Sequence, residues 1–135
     1  MQAASVTTEL GGTLYTTELD ISRGKFAIHA DANPPVIEYK VNARGVLQEV
    51  NTNATIGSEE LLQIEQAQEA MLRGWILDLL GCVQRNNIDP FGFGLWYTAT
   101  RLDNKTKWQA WQRLYPNVRF KASVNIALYS TGEIR

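Results

Sequence analysis

One cysteine and one histidine occur in 135 residues, and that scarcity excludes more chemistry than any motif suggests. Cys82 has no second thiol to pair with, so there is no internal disulfide and the redox compartment is not written in the cysteines. Structural zinc takes four Cys or His ligands, which two such residues do not supply. Long hydrophobic runs are missing too: the most apolar stretch, Trp75 to Val83, is too short to span a bilayer and contains Asp78. Met1 to Leu10 has no basic region followed by an apolar core, so it does not read as a signal peptide. Charge of one sign is not in excess either. The net charge is −1 and the pI about 5.8, so no global field favours nucleic acid. The asymmetry is local. Glu59, Glu60, Glu65 and Glu69 sit together, whereas Arg101, Lys105, Lys107, Arg113, Arg119 and Lys121 face only Asp103.

What is present fits a globular chain: 44% hydrophobic and 20% charged residues suffice for one folded domain of this length. Residues 1–12 are small and polar, end in Gly11-Gly12, and are expected to form a flexible arm ahead of a single domain over 13–135. From Thr13 the pattern has period two. Tyr15, Thr17, Leu19 and Ile21 point one way; Phe26, Ile28 and Ala30 repeat the pattern after a turn at Ser22-Arg23-Gly24. Asn33-Pro34-Pro35 breaks the chain, and a third strand follows with Ile37, Tyr39, Val41 and Ala43 on one side. Gly45 is read as the site of a bulge in a strand continuing through Val50.

The period then changes to that of a helix. Ser58 reads as an N-cap with Glu59 and Glu60 in the first turn, where the helix dipole favours acids. Leu61, Ile64, Gln68, Met71, Leu72, Trp75, Leu79, Cys82 and Val83 define one stripe of a long helix ending near Asn86. Gly74 and Gly81 lower its intrinsic helicity and are expected to be points of close approach. Asp89-Pro90 predicts the start of a second helix, with Phe91, Leu95, Ala99 and Leu102 facing inward. Trp108, Trp111 and Tyr115 form the inner face of a third, which ends before Pro116. Val118, Phe120, Ala122, Val124, Ile126 and Leu128 then alternate with polar residues in a final strand closed by Thr131-Gly132. The expected fold is α+β: an antiparallel sheet of about four strands, in the order β-β-β-α-α-α-β, with the long helix on one face and two short helices.

Candidate chemistry is sparse. His29 falls on the polar side of a strand and reads as a surface residue; Cys82 reads as a small core residue. Glu65 and Glu69 share a helix face, which a solvated acidic segment explains without catalysis. Asp78 interrupts apolar surroundings and is expected to find a polar partner on the rim. Gly92-Phe93-Gly94 lacks the third glycine of a dinucleotide loop and follows a helix, so it is not a phosphate cradle. Asn53 and Asn104 begin glycosylation sequons, a weak signal. The basic residues of 101–121 lie off the aromatic stripe, the pattern of a core face beside a solvated one rather than of a nucleic-acid surface.

One run of residues is more specific. Asp89-Pro90-Phe91-Gly92-Phe93-Gly94 is followed by a tryptophan-bearing helix at Trp108 and Trp111. Leu114-Tyr115-Pro116 and a basic alternating strand come next, ending at Ser130-Thr131-Gly132-Glu133-Ile134. This order resembles the C-terminal domain of the Ger(x)C family, the lipoprotein C subunits of bacterial spore germinant receptors, over about residues 13–135. The helix departs from the family pattern in carrying Gln63, Gln66, Gln68 and the Trp75-Ile76-Leu77 patch, and Leu95-Trp96 stands where the family is usually polar.

The resemblance implies a non-enzymatic subunit without a cofactor. It assembles with the membrane A and B subunits of the receptor, on the outer face of the inner spore membrane. It also implies two preceding domains and an acylated N-terminal cysteine as the only membrane anchor. Neither occurs in residues 1–135, so Met1 is read as the start of a soluble piece of a longer lipoprotein. Within the motif, Asp89, Phe91, Gly92, Phe93, Gly94, Trp108 and Trp111 are expected to be structural, with Phe91 and Phe93 as core anchors. Arg119, Lys121, Asn125 and Tyr129, on the wet face of the last strand, are the candidate interaction surface. The alternative is a stand-alone extracytoplasmic module that binds an anionic polymer or membrane surface through Arg101, Lys105, Arg119 and Lys121.

Overall fold

Gly11 and Gly12 both adopt left-handed backbone, with φ of 60° and 81°, in a computed structural model that describes residues 2–22, 24–50, 57–100 and 107–130. Two consecutive positive φ values make the two-residue turn whose twist suits a hairpin. The turn joins β1 (Gln2–Leu10) to β2 (Thr13–Ile21), antiparallel in unbroken register from Gln2↔Ile21 to Leu10↔Thr13. The expected flexible arm is therefore a strand. Val6 and Thr8 are buried on one face of it and Ser5 and Thr7 exposed on the other, so even this small-residue segment alternates.

The other elements are β3 (Lys25–His29), β4 (Val36–Val50), α1 (Ser58–Arg85), α2 (Phe93–Ala99), α3 (Lys107–Leu114), a 3-10 turn (Tyr115–Asn117) and β5 (Arg119–Ser130). The fold is α+β, with five strands rather than about four. β1 pairs β2, and β2, β3 and β5 all pair β4. β2 and β4 are antiparallel, and the register shifts once: Thr16 pairs Glu49 but Thr17 pairs Leu47. The extra residue is thus Gln48, and Gly45, expected at the bulge, stays in register opposite Leu19. Its role is close approach. A methyl group there would be driven into the Glu18 carbonyl oxygen and would lie 2.9 Å from a Leu19 Cδ atom.

The chain divides into two compact units, each with its own core. The first comprises Met1–Lys25, Lys40–Gly74 and Ser123–Arg135. Here α1 lays Leu61, Ile64 and Leu72 against Leu19, Leu47 and Ile126 of the strands. Gln68, on the same stripe, is fully buried, and its Oε1 accepts from the Thr17 hydroxyl at 3.1 Å. Glu65 and Glu69, expected to be solvated, are half-buried instead. Glu69 Oε2 accepts from the Ile126 amide at 2.8 Å and Glu65 Oε2 from the Leu128 amide at 2.6 Å.

The second unit comprises Phe26–Tyr39 and Trp75–Ala122. Its core is aromatic: Phe93, Tyr97, Trp111 and Tyr115 gather with Ile37, Leu80 and Val118. The α1 residues that enter it are Ile76 and Leu80. This corrects the predicted stripe, because Trp75 and Leu79 are 55% and 53% exposed and Cys82 is exposed as well. Two helical rows lead on from Leu72, one through Trp75 and Leu79 and one through Ile76 and Leu80. Both are apolar, so periodicity alone did not choose between them. Asp78 is exposed on the outer side with them.

Gly74 has open space around its Cα and Gly81 meets only the flexible Arg85 guanidinium, so neither is a point of close approach. The contrast gives a test. Gly45→Ala should lower the urea-unfolding free energy by at least about 2 kcal/mol, because backbone cannot move aside as a side chain can. Gly74→Ala should raise it by about 0.5–1 kcal/mol, by removing helix-interior glycine entropy.

Candidate functional site

The segment from Asn86 to Gly94 must turn the chain out of α1 and into α2, and it does so with polar groups at every step. α1 closes in a Schellman arrangement. Asn87 has φ 56°, its amide donates to the Gln84 carbonyl, and the Ile88 amide donates to the Val83 carbonyl, both at 2.9 Å. The Ile88 carbonyl then accepts the Tyr115 hydroxyl at 2.7 Å. Asp89 follows with both carboxylate oxygens engaged: Oδ1 accepts from the Phe93 amide at 3.0 Å and Oδ2 from the Gly94 amide at 2.7 Å. It thus caps α2 from a distance. The helix begins at Phe93 and not at Pro90, with Gly92 at its N-cap in left-handed backbone, φ 74°.

That later start turns the helix about its axis and corrects the predicted inner face. Phe93, Gly94 and Tyr97 are buried, whereas Leu95 is 70% exposed and Ala99 is exposed. Of the two expected anchors, Phe93 is completely buried and Phe91 is 36% exposed. Phe91 stacks on the Phe93 ring at 5.5 Å and covers it from outside. Phe93 meets Phe26 edge-on at 4.8 Å. Gly94 belongs beside Trp111, since a Cβ there would lie 2.5 Å from the indole nitrogen. Trp111 is buried between Tyr97 and Tyr115, with ring centroids 5.3 and 5.2 Å away. Trp108, expected beside it in the core, is 49% exposed; Lys107 takes the inner position, its ammonium donating to the Thr98 carbonyl at 3.1 Å. The motif is a corner built from a carboxylate cap, one glycine in left-handed backbone, one close-approach glycine and one core ring.

β5 presents the second predicted surface. Val118, Ile126 and Leu128 are buried and Arg119, Lys121, Asn125 and Tyr129 exposed, so the register is the one the alternation predicts. Gln84 ties the entry to this strand, its amide nitrogen donating to the Tyr115 and Val118 carbonyls at 2.9 and 2.7 Å. His29 is exposed, with Nε2 3.6 Å from Glu38. Among the described residues no group of three His, Cys, Asp or Glu side chains is placed to hold a metal ion. No helix among them is long and apolar enough to cross a membrane. Arg101, Leu102, Asp103, Lys105, the sequons at Asn53 and Asn104, and Thr131-Gly132 lie outside the described residues.

A family model described as spore germination B3/GerAC-like, C-terminal, matches residues 1–132. The chain belongs to that family. The match takes in β1 as well as the segment from Thr13 onward that carried the resemblance. Among solved structures, a crystal structure of the GerBC protein is similar in fold, with a TM-score of 0.75 at 18% identity. It aligns with 95% of this chain, which spans 41% of that structure's length. No curated protein matches the chain.

Sequence reasoning missed the surface that this germination-family domain presents beside the motif. Trp75, Leu79, Leu95 and Trp108 fall on predicted inner faces and Trp96 on none, and each is about half exposed or more. Residue type did not distinguish them from core aromatics. The available signal was an excess: α1 and α2 carry more apolar residues than one buried stripe accommodates.

Phe93→Ala should cost about 3–5 kcal/mol of unfolding free energy and Phe91→Ala about 1 kcal/mol, measured by urea denaturation. Tyr115 supplies a pH test. Burial, with a smaller contribution from the Asp89 carboxylate, pushes its phenol up to about 12 from the ordinary 10. The folded state therefore holds that proton more tightly, and the associated stability is complete below pH 10 and lost as pH rises through 12. In Tyr115→Phe, the part of the decline between those pH values that is due to Tyr115 should disappear, as the difference between the two stability profiles would record.

Proposed function

We propose that this domain acts without chemistry of its own, as the C-terminal part of a germinant-receptor C subunit that associates with the membrane A and B subunits. The observation that carries the proposal is the outer row of β5. Arg119, Lys121, Asn125 and Tyr129 stand exposed on a strand whose alternate residues are anchored in the two cores. Arginine, tyrosine and amide side chains on a rigid strand suit a protein interface, because little conformational freedom is lost when they are covered. Tyr115, whose phenol is shifted upward, is committed to the Ile88 carbonyl and serves the fold. In this reading the whole protein is a lipoprotein on the outer face of the inner spore membrane, and the domain needs no cofactor.

Replacing Arg119 and Lys121 together by glutamate tests it. Exposed substitutions of this kind change stability by less than about 0.5 kcal/mol, so the fold should survive. Recovery of the A and B subunits from solubilised spore membranes on the tagged variant should fall at least about tenfold relative to wild type. Equal recovery would show that this row is not the docking surface.

A further inference from the structure

The turn between β3 and β4, the last turn of α3 and the first residue of β5 enclose an open depression of about 670 Å3 within the second unit. Its walls include Ala30, Pro35 and Leu114, and Asn33, Arg113 and Arg119 supply the polar groups. The geometry is held by a hydrogen bond on each side. The Arg119 amide donates to the Pro35 carbonyl at 2.8 Å, and the Asn117 side-chain amide donates to the Arg113 carbonyl at 3.1 Å.

Among the described residues neither arginine has a carboxylate partner. Two arginines lining one concave surface give it a positive charge that favours an anion, and the planar guanidinium fork matches a carboxylate. The remaining lining decides which anion. Ala30, Pro35 and Leu114 offer apolar contact that a bare inorganic ion does not use. Among the described residues no aromatic ring lines the depression, so a nucleic-acid base finds no platform there on which to stack. A volume of this order accommodates a few residues of peptide.

We propose that this depression binds an acidic peptide segment of a partner protein. A glutamate or aspartate carboxylate sits between Arg113 and Arg119, and an adjacent apolar side chain rests on Pro35 and Leu114. Lys121 lies two residues further along β5 on the same side as Arg119 and extends the positive track. Because Arg119 belongs to both surfaces, the proposal rests on the reading of β5 as a docking strand and names the chemistry of what docks there.

The test is titration of the 135-residue chain with a fluorescein-labelled peptide of alternating leucine and glutamate, beside its leucine–glutamine counterpart. The glutamate peptide should bind saturably, and about tenfold more weakly when salt is raised from about 50 to 300 mM. The glutamine peptide and the Arg113→Ala, Arg119→Ala double variant should each show at least about a tenfold loss. Arg113→Lys should keep part of the affinity, since an ammonium retains the charge without the fork. Equal binding of the two peptides, undiminished binding by the double variant, or no saturable binding would overturn the proposal. So would displacement of the peptide by acetate or inorganic phosphate at concentrations equal to its own, which would mark a small-anion site. The two readings fail separately. Peptide binding with subunit recovery insensitive to Arg119 and Lys121 would remove the docking role and leave the depression; sensitive recovery without peptide binding would do the reverse.

Discussion

β4 hydrogen-bonds to three other strands, and the structure depends on its meeting that demand along fifteen residues while burying one row of side chains. Ile37, Val41, Ala43 and Leu47 are the buried members of that row, and Tyr39 is partly buried among them. Gly45 is the position in the row with no side chain. There the strand lies against Glu18 and Leu19 of β2, too close for a Cβ, and Leu19 is 1% exposed as a result. The extra residue at Gln48 comes after this contact, so the displacement of register falls where the core row has already ended.

The long helix contributes backbone chemistry as well as apolar cover. Strand donors and acceptors that do not face another strand need partners, and an open strand edge invites pairing with foreign chains. Glu65 and Glu69 of α1 meet the Leu128 and Ile126 amides of β5, and Gln84 meets the Val118 carbonyl just before the strand. Two carboxylates one helical turn apart thus occupy strand amides that would otherwise remain available. The same helix carries Trp75 and Leu79 outward, and with Trp96 and Trp108 they leave three of the four tryptophans about half exposed. Apolar surface on that scale is costly to keep in water.

Much of this was written in the sequence. Period-two alternation determined β2, β3, β4 and β5 and which of their residues point inward, because a strand has only two faces and one of them must be dry. The order from Asp89-Pro90-Phe91-Gly92-Phe93-Gly94 through the tryptophan-bearing helix and Tyr115-Pro116 to the last strand carried the family resemblance. The Gly11-Gly12 turn also announced a hairpin, which requires a strand before it; the small polar residues of β1 masked that signal, since their strand conformation comes from pairing with β2.

Tertiary structure alone decided the rest. Whether Trp75 or Ile76 was buried depended on which of them packed with Phe93 and Trp111. Whether Phe91 or Phe93 became the anchor depended on where Asp89 placed its two hydrogen bonds and hence on the phase of α2. The roles of Glu65 and Glu69 required knowing that Leu128 and Ile126 pass beside them, and the presence of both Arg113 and Arg119 at one depression required the fold of the chain between Ala30 and Arg119. Sequence determines periodicity because burial on one face repeats with the geometry of the element. Which of two equivalent apolar rows is buried, and which carboxylate meets which amide, is fixed by neighbours distant in the chain, and that information exists only once they are packed.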